Sequence, residues 1–261
     1  MSRIFDTHAH YDDAAFDADR EALLRELPRK QVGAVIVAAT DVPSARACVA
    51  LSEQYGYIWA AVGIHPETAQ NATDDQLRAI YDMAVSSRRV RAIGEIGLDY
   101  HYEDGCPREI QRMWFRRQLA LAKELDLPVI VHDRDAHEDV LALLREYRPR
   151  GVVHCFSGSV EMMKEVVGLG MYIGLGGAAT FKNAKRPVAV AREVPADRLL
   201  LETDAPYMAP EPFRGKRCDS SLIAYTAQRI AGIRETGTDT LLDETWENAC
   251  RLFDVHPEPE G

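Results

Sequence analysis

Two histidines one residue apart, His8 and His10, close the first apolar run of the chain, in the order Asp6-Thr7-His8-Ala9-His10. Alternate residues of a strand share a face, so Asp6, His8 and His10 point the same way. Two imidazoles side by side can each turn a ring nitrogen toward one cation, the geometry of a His-x-His metal site. Such a pair alone is more often surface or satisfied core, and further ligands at the ends of other strands are what mark a metal centre. The chain carries them. Glu95 lies in Gly94-Glu95-Ile96-Gly97-Leu98-Asp99, inside an apolar run, where a Glu is seldom buried unless paired or bound to metal. His132 ends Pro128-Val129-Ile130-Val131, and His154 ends Gly151-Val152-Val153. Leu199-Leu200-Leu201 is followed by Glu202-Thr203-Asp204, whose two carboxylates share a face and need a cation to stay ionised together. His8, His10, Glu95, His132, His154 and Asp204 make four imidazoles and two carboxylates, a ligand count for two divalent ions bridged by one carboxylate.

The elements that must position these residues alternate along the chain. Short apolar runs at 4–8, 34–39, 58–64, 92–96, 129–132, 152–155, 172–175 and 199–202 read as strands. Amphipathic stretches at 17–27, 44–55, 74–86, 108–124, 138–147, 159–167 and 187–194 read as helices between them. Eight βα units in about 260 residues predict an α/β fold, a (β/α)8 TIM barrel. A doubly wound open sheet has the same alternation with another strand order. The ligands favour the barrel, because closure brings strand 8 beside strand 1 and lets the ends of strands 1, 4, 5, 6 and 8 converge. No linker, repeat or low-complexity segment interrupts the pattern, so one domain is expected over residues 1–261.

With 261 residues and 46% hydrophobic content the chain can bury a large core. Its net charge of −10 does not attract nucleic acid as a whole, so such a role must rest on local basic loops or bound cations. Five cysteines without a C-x-x-C spacing argue against a disulfide framework and a zinc finger, and point to a reducing cytoplasm. The first residues lack an apolar leader and no run reaches the ~20 residues of a membrane span, so an untargeted, soluble protein is expected.

Six motifs stand in one order: Asp-Thr-His-x-His, Gly-Ile-His-Pro, Gly-Glu-Ile-Gly-Leu-Asp-Tyr, Pro-Val-Ile-Val-His, His-Cys-Phe-Ser-Gly and Glu-Thr-Asp-Ala-Pro-Tyr. From Phe5 to about Phe253 the chain resembles the TatD family of metal-dependent deoxyribonucleases, among the amidohydrolase-like barrels. The resemblance implies that His8, His10 and Asp204 bind one ion, His132 and His154 the second, and Glu95 bridges them. It also implies that His65, in Gly-Ile-His-Pro, contacts the substrate phosphate, and that the enzyme is an exonuclease. The chemistry agrees, since paired divalent ions activate water and stabilise charge developing on a phosphodiester. Asp204 is then the best placed general base, Glu202 orients a ligand histidine, and Cys155, beside His154, should face away from the ions. Mg, Mn or Zn remain open as the metal.

Substrate is expected to be held by loops at the strand ends. Lys182, in Phe181-Lys182-Asn183-Ala184-Lys185-Arg186, and Arg214, in Phe213-Arg214-Gly215-Lys216-Arg217, join Arg134 as cations around the metals. Tyr207 and Phe213 are candidates to stack on bases. DNA is the expected partner, RNA an open one, and a monomer the default. A small-molecule amide, ester or lactone hydrolase is the alternative, and a silent metal-stabilised scaffold a third reading. One departure stands out: where the family commonly continues Asn-Glu-Pro, this chain reads Cys218-Asp219-Ser220. His101, His137 and His256 are expected at the surface, Trp59, Trp114 and Trp246 in the core, and the tail from His256 loose.

Overall fold

The computed structural model describes residues 3–257, so the tail expectation falls mostly on 258–261, outside the described residues. Eight strands pair in parallel in chain order: β1 (Ile4–Ala9), β2 (Val32–Ala38), β3 (Ile58–Val62), β4 (Val90–Asp99), β5 (Val129–Arg134), β6 (Gly151–Val153), β7 (Tyr172–Leu175) and β8 (Leu199–Leu201). Helices α1 (Arg20–Glu26), α2 (Val42–Gln54), α3 (Asp74–Ser86), α4 (Arg108–Glu124), α5 (His137–Tyr147), α6 (Val160–Gly168), α7 (Lys185–Glu193), α8 (Ile223–Arg234) and α9 (Thr238–Phe253) follow between and after them. Neighbours pairing in sequence order is the barrel pattern, whereas a doubly wound sheet would reverse order at a switch point. No helix among the described residues is long and apolar enough to cross a membrane.

The boundaries follow local chemistry. Helix α3 begins at a capping box in which Thr73 accepts from the Gln76 N–H and Gln76 reaches back to the Thr73 N–H. Helix α1 starts at Arg20, three residues later than expected, because residues 14–16 form a separate turn capped by Asp13 and the Arg20 guanidinium binds the carbonyls of Tyr11, Asp12 and Asp13.

Strand alternation sorts the core into two parts. One cluster takes buried side chains from every strand, among them Phe5, Ile36, Trp59, Ala92, Ile130, Val152, Tyr172 and Leu200, and is sealed by Leu252 and Phe253 of α9. Strand residues between them, such as Val35, Ile93, Val131 and Leu201, pack with the helices in a larger cluster. Two residues beyond Ile130, Val152 and Leu200, and therefore on the same inward face, come His132, His154 and Glu202. The barrel is nearly closed. Among the described residues the seam between β8 and β1 has no strand ladder, only the bridge Ala9–Ala205, with the His10 N–H 2.7 Å from the Ala205 carbonyl and the Asp204 N–H 2.9 Å from that of His8.

Candidate metal centre

All six expected ligands converge at the C-terminal end of the barrel. Glu95, 2% exposed, stands at the middle, and its two oxygens face different partners. Oε2 lies 3.3 Å from His8 Nε2 and 3.5 Å from His10 Nε2. Oε1 lies 2.6 Å from His154 Nε2 and 2.8 Å from His132 Nδ1. Asp204 Oδ1 is 3.3 Å from His10 Nε2 and 3.6 Å from His8 Nε2. Three overlapping groups have the spacing to hold an ion: His8, His10 and Glu95; His8, His154 and Asp204; and His65, Glu95 and His132. The second crosses the expected pairing, since His8 and His154 are stacked with ring centroids 3.9 Å apart, and the third adds His65 to Glu95 and His132. The two oxygens of Glu95 separate the pairs better than ring proximity does, because a carboxylate lone pair is directional.

The outer contacts say which nitrogen faces inward. His10 Nδ1 lies 2.8 Å from the Ala38 carbonyl, which can only accept, so its Nε2 lone pair points into the centre. His132 Nε2 lies 2.9 Å from Asp99 Oδ2, which turns Nδ1 inward. The lone pairs of these rings meet those of Glu95 at contact distance, an arrangement that only protons or cations relieve. His65 is different. Its Nδ1 accepts from the Glu67 N–H at 3.2 Å, so in the neutral ring Nε2 carries a proton and is a donor into the site rather than a ligand.

Electrostatics support the same view. Burial pushes Glu95 up, but His154, His8 and His65 and the hydrogen bond with His132 outweigh it and hold Glu95 well below the carboxylate range. Burial likewise opposes Asp204, and His10, His8 and His154 bring it down. Against the cost of burial, Asp204 and Glu95 raise His10 to about 9, and Asp99 and Glu95 raise His132 to about 10. His8, buried and beside His154, falls to about 4. Without an ion the cluster therefore collects protons where cations would sit, which is how a preformed cation site behaves.

Backbone geometry permits the convergence. Gly97 has φ 147° and pairs with His132 across β4 and β5, where a Cβ would run into the His132 carbonyl. Gly174 of β7 makes room for the Glu202 carboxylate, which a Cβ would strike. Glu202 accepts from the Cys155 N–H and lies 3.8 Å from His154 Nδ1, close to the expected orienting place. Burial raises it to about 8.

Several supporting residues escaped the sequence reading. Asp99 lies four residues beyond Glu95, hence on its face of the strand, and that spacing could have flagged it as the partner of His132. Two buried glutamines of α4 hold strand-end backbone: Gln111 binds both backbone groups of Asp99, and Gln118 both of Ile64, next to His65. Nothing local distinguishes them from ordinary helix glutamines.

The mouth is partly as expected. Arg134 lies over the Tyr102 ring at 5.2 Å, Arg214 over Phe181 at 4.2 Å, and Lys182 is exposed. Tyr207 is 55% exposed with its hydroxyl donating to Asp13 at 2.8 Å. Other expectations are corrected. Arg217 is not a free cation, because it pairs with both oxygens of Asp19 at 2.7 and 2.6 Å. Phe213 is half-buried and packs at a steep angle against Tyr225, with ring centroids 4.9 Å apart. Cys155 does not follow strand alternation: β6 ends at Val153, Cys155 has φ 42°, and burial together with Asp204, Glu202 and Glu95 raises its thiol. His101 and His256 are exposed, while His137 is half-buried against Asp133 at 2.8 Å. Trp59 and Trp114 are buried, and Trp246 is half-buried beneath Arg3.

A nearly closed parallel barrel with imidazoles and carboxylates gathered at its strand ends defines a barrel-type metal-dependent hydrolase. The chain belongs to the TatD family: the family model described as TatD related DNase matches residues 5–254. It is 42% identical over 256 residues to the metal-dependent hydrolase YabD of Bacillus subtilis (strain 168), covering 97% of this chain and 100% of that protein. It is 33% identical over 259 residues to the protein named 3'-5' ssDNA/RNA exonuclease TatD of Musicola paradisiaca (strain Ech703), covering 96% of this chain and 97% of that one. The solved structure of YjjV, a TatD homologue from Escherichia coli K12, superposes with a TM-score of 0.92 at 35% identity, over 98% of this chain and 99% of that one. The protein is accordingly a metal-dependent hydrolase of ester bonds.

Proposed function

We propose that the protein hydrolyses phosphodiester bonds of single-stranded DNA or RNA, shortening the strand from its 3′ end, with two divalent ions at the barrel mouth. The observation that carries the reading is Glu95, one oxygen toward His8 and His10 and the other toward His132 and His154. In this reading His8, His10 and Asp204 would hold one ion and His132 and His154 the other, with Glu95 shared between the two sets. Mg, Mn or Zn bound there would supply a water of lowered pKa and Lewis acidity toward the phosphoryl oxygens. Asp204, held ionised beside His10, accepts the proton of the attacking water. The Nε2–H of His65 donates to a phosphate oxygen, Asp99 keeps His132 oriented, and Glu202 stands 3.8 Å from His154 Nδ1 beside that ring. Arg134, Lys182 and Arg214 hold the backbone of the strand. The polarity and the strand type come from the relatives named 3'-5' ssDNA/RNA exonuclease. Five free cysteines suit a reducing compartment, the cytoplasm in this proposal.

The test is cleavage of 5′-labelled single-stranded and duplex DNA and of RNA by metal-stripped protein resupplied with Mg, Mn or Zn. Glu95→Ala and Asp204→Ala run in parallel, since a contaminating nuclease would survive both. Metal-dependent shortening lost in both variants supports the reading. Two bound ions without cleavage of any nucleic acid overturns the substrate and sends the assay to amides, esters and lactones.

A further inference from the structure

We infer that Ser220, with Tyr11 and Thr203, acts through Asp6 as a positioning group for one half of the metal centre, the half made by His8, His10 and Asp204; this rests on the two-ion reading above. These ligands lie on opposite sides of the β8–β1 seam, His8 from β1, His10 from the residue just after it, and Asp204 from the loop after β8. Elsewhere in the barrel a hydrogen-bond ladder sets the separation of neighbouring strands. At this seam, among the described residues, the bridge Ala9–Ala205 stands in for a ladder, and side chains complete the closure.

Asp6 is the centre of that closure. It is fully buried, and each oxygen accepts twice. Oδ1 takes the N–H of His8 at 3.2 Å and of Thr203 at 3.0 Å, one from each side of the seam. Oδ2 takes the hydroxyls of Thr203 at 2.6 Å and Ser220 at 2.7 Å. The peptide units so held belong to a ligand, His8, and to the neighbour of a ligand, Thr203 before Asp204. Ser220 is held in turn by Tyr11, which is buried beside His10. The Ser220 N–H donates to the Tyr11 hydroxyl at 2.8 Å, and that hydroxyl, 2.7 Å from Ser220 Oγ, donates back. The proton of Ser220 Oγ is therefore committed to Asp6, so the order of donors is fixed along the whole chain of contacts.

Ser220 is part of the segment that departs from Asn-Glu-Pro. A proline at this position would have neither the N–H that Tyr11 accepts nor the hydroxyl that Asp6 accepts. The other half of the centre is anchored elsewhere: His132 is held by Asp99 on β4, and His154 follows β6, both away from the seam.

The experiment counts ions. Full-length wild type, Ser220→Ala, Ser220→Thr and Tyr11→Phe are dialysed to equilibrium across a range of free Mn concentrations, bound Mn is measured by elemental analysis, and Tm is recorded at saturating Mn. Wild type should show two binding steps. In Ser220→Ala one step should weaken about 10- to 100-fold, the cost typical of losing an outer partner of a ligand, while the other stays in place. Tyr11→Phe should weaken the same step, and Ser220→Thr, which keeps the hydroxyl, should restore it. Adding His10→Ala to Ser220→Ala should weaken that step by less than the two changes summed, because both act on one half. Two unchanged steps in Ser220→Ala, or both steps falling together with Tm, would reduce Ser220 to ordinary packing and overturn the inference. Fewer than two ions in wild type would overturn the two-ion reading itself, an outcome distinct from the others.

Discussion

Replacing Glu95 by Gln keeps the shape of the side chain and removes its charge and one of its two accepting oxygens. The carboxylate is buried with each oxygen directed at one pair of imidazoles, so an amide can serve at most one pair as acceptor and turns its NH2 toward the other. A hydrogen bond or contact to a charged group contributes about 1.5–3 kcal/mol, and the amide loses one accepting oxygen, so the loss is of that size. At 1.4 kcal/mol per decade that is roughly a 10- to 10²-fold loss of metal affinity. No cavity opens, because the volumes match, and the fold should persist. The assay is bound metal against free metal by equilibrium dialysis, with hydrolysis followed at saturating metal and folding checked by circular dichroism. A folded Glu95→Gln protein that holds the wild-type number of ions with wild-type affinity and turns over at the wild-type rate would refute the bridging role.

Other outcomes follow from the same geometry. His10, His132 and His154 are all raised by the carboxylates around them in the metal-free protein, so metal binding should release protons; calorimetric titration in buffers of different ionisation enthalpy measures this release, and none would overturn the expectation. The sign for stability is also set: raised histidines contribute stability that is present below their unfolded pKa of about 6.5 and lost as pH rises through about 9 to 10, so His10 and His132 should lower the Tm of metal-free protein over that window. Activity should fall below about pH 6 as protons compete for the ligand nitrogens, read from a pH–rate profile at fixed free metal. Asp99→Asn should weaken metal binding or activity about 10- to 100-fold by loosening His132, with little change in secondary structure. Phe253→Ala empties the seal of the barrel interior and should cost ~3–5 kcal/mol in denaturant unfolding while leaving the ligand residues in place.

Much of the fold was legible because its rules are local. The helices at 74–86 and 108–124 match their sequence ranges to the residue, since a 3.6-residue apolar period is a property of neighbouring residues. The convergence of the candidate ligands was legible for a similar reason: in a barrel each βα loop begins at one end, so a polar residue closing an apolar run lands at the mouth. Tyr207 and Phe213 looked alike as aromatic residues near a basic loop. Only packing separated them, placing Phe213 against Tyr225.

By itself, then, the sequence determined the alternation of strands and helices, the ligand types and the end of the barrel on which they gather, because strand alternation and helix periodicity are short-range. Tertiary structure alone decided which nitrogen of His132 faces inward, through Asp99 on the neighbouring strand, and that Arg217 is spent on Asp19, 198 residues away. It also decided that Asp6, which shares the His-x-His face by alternation, is not a ligand and instead joins β1 to Thr203 and Ser220. These depend on contacts between segments far apart in the chain, whose distance and direction exist only once the barrel closes.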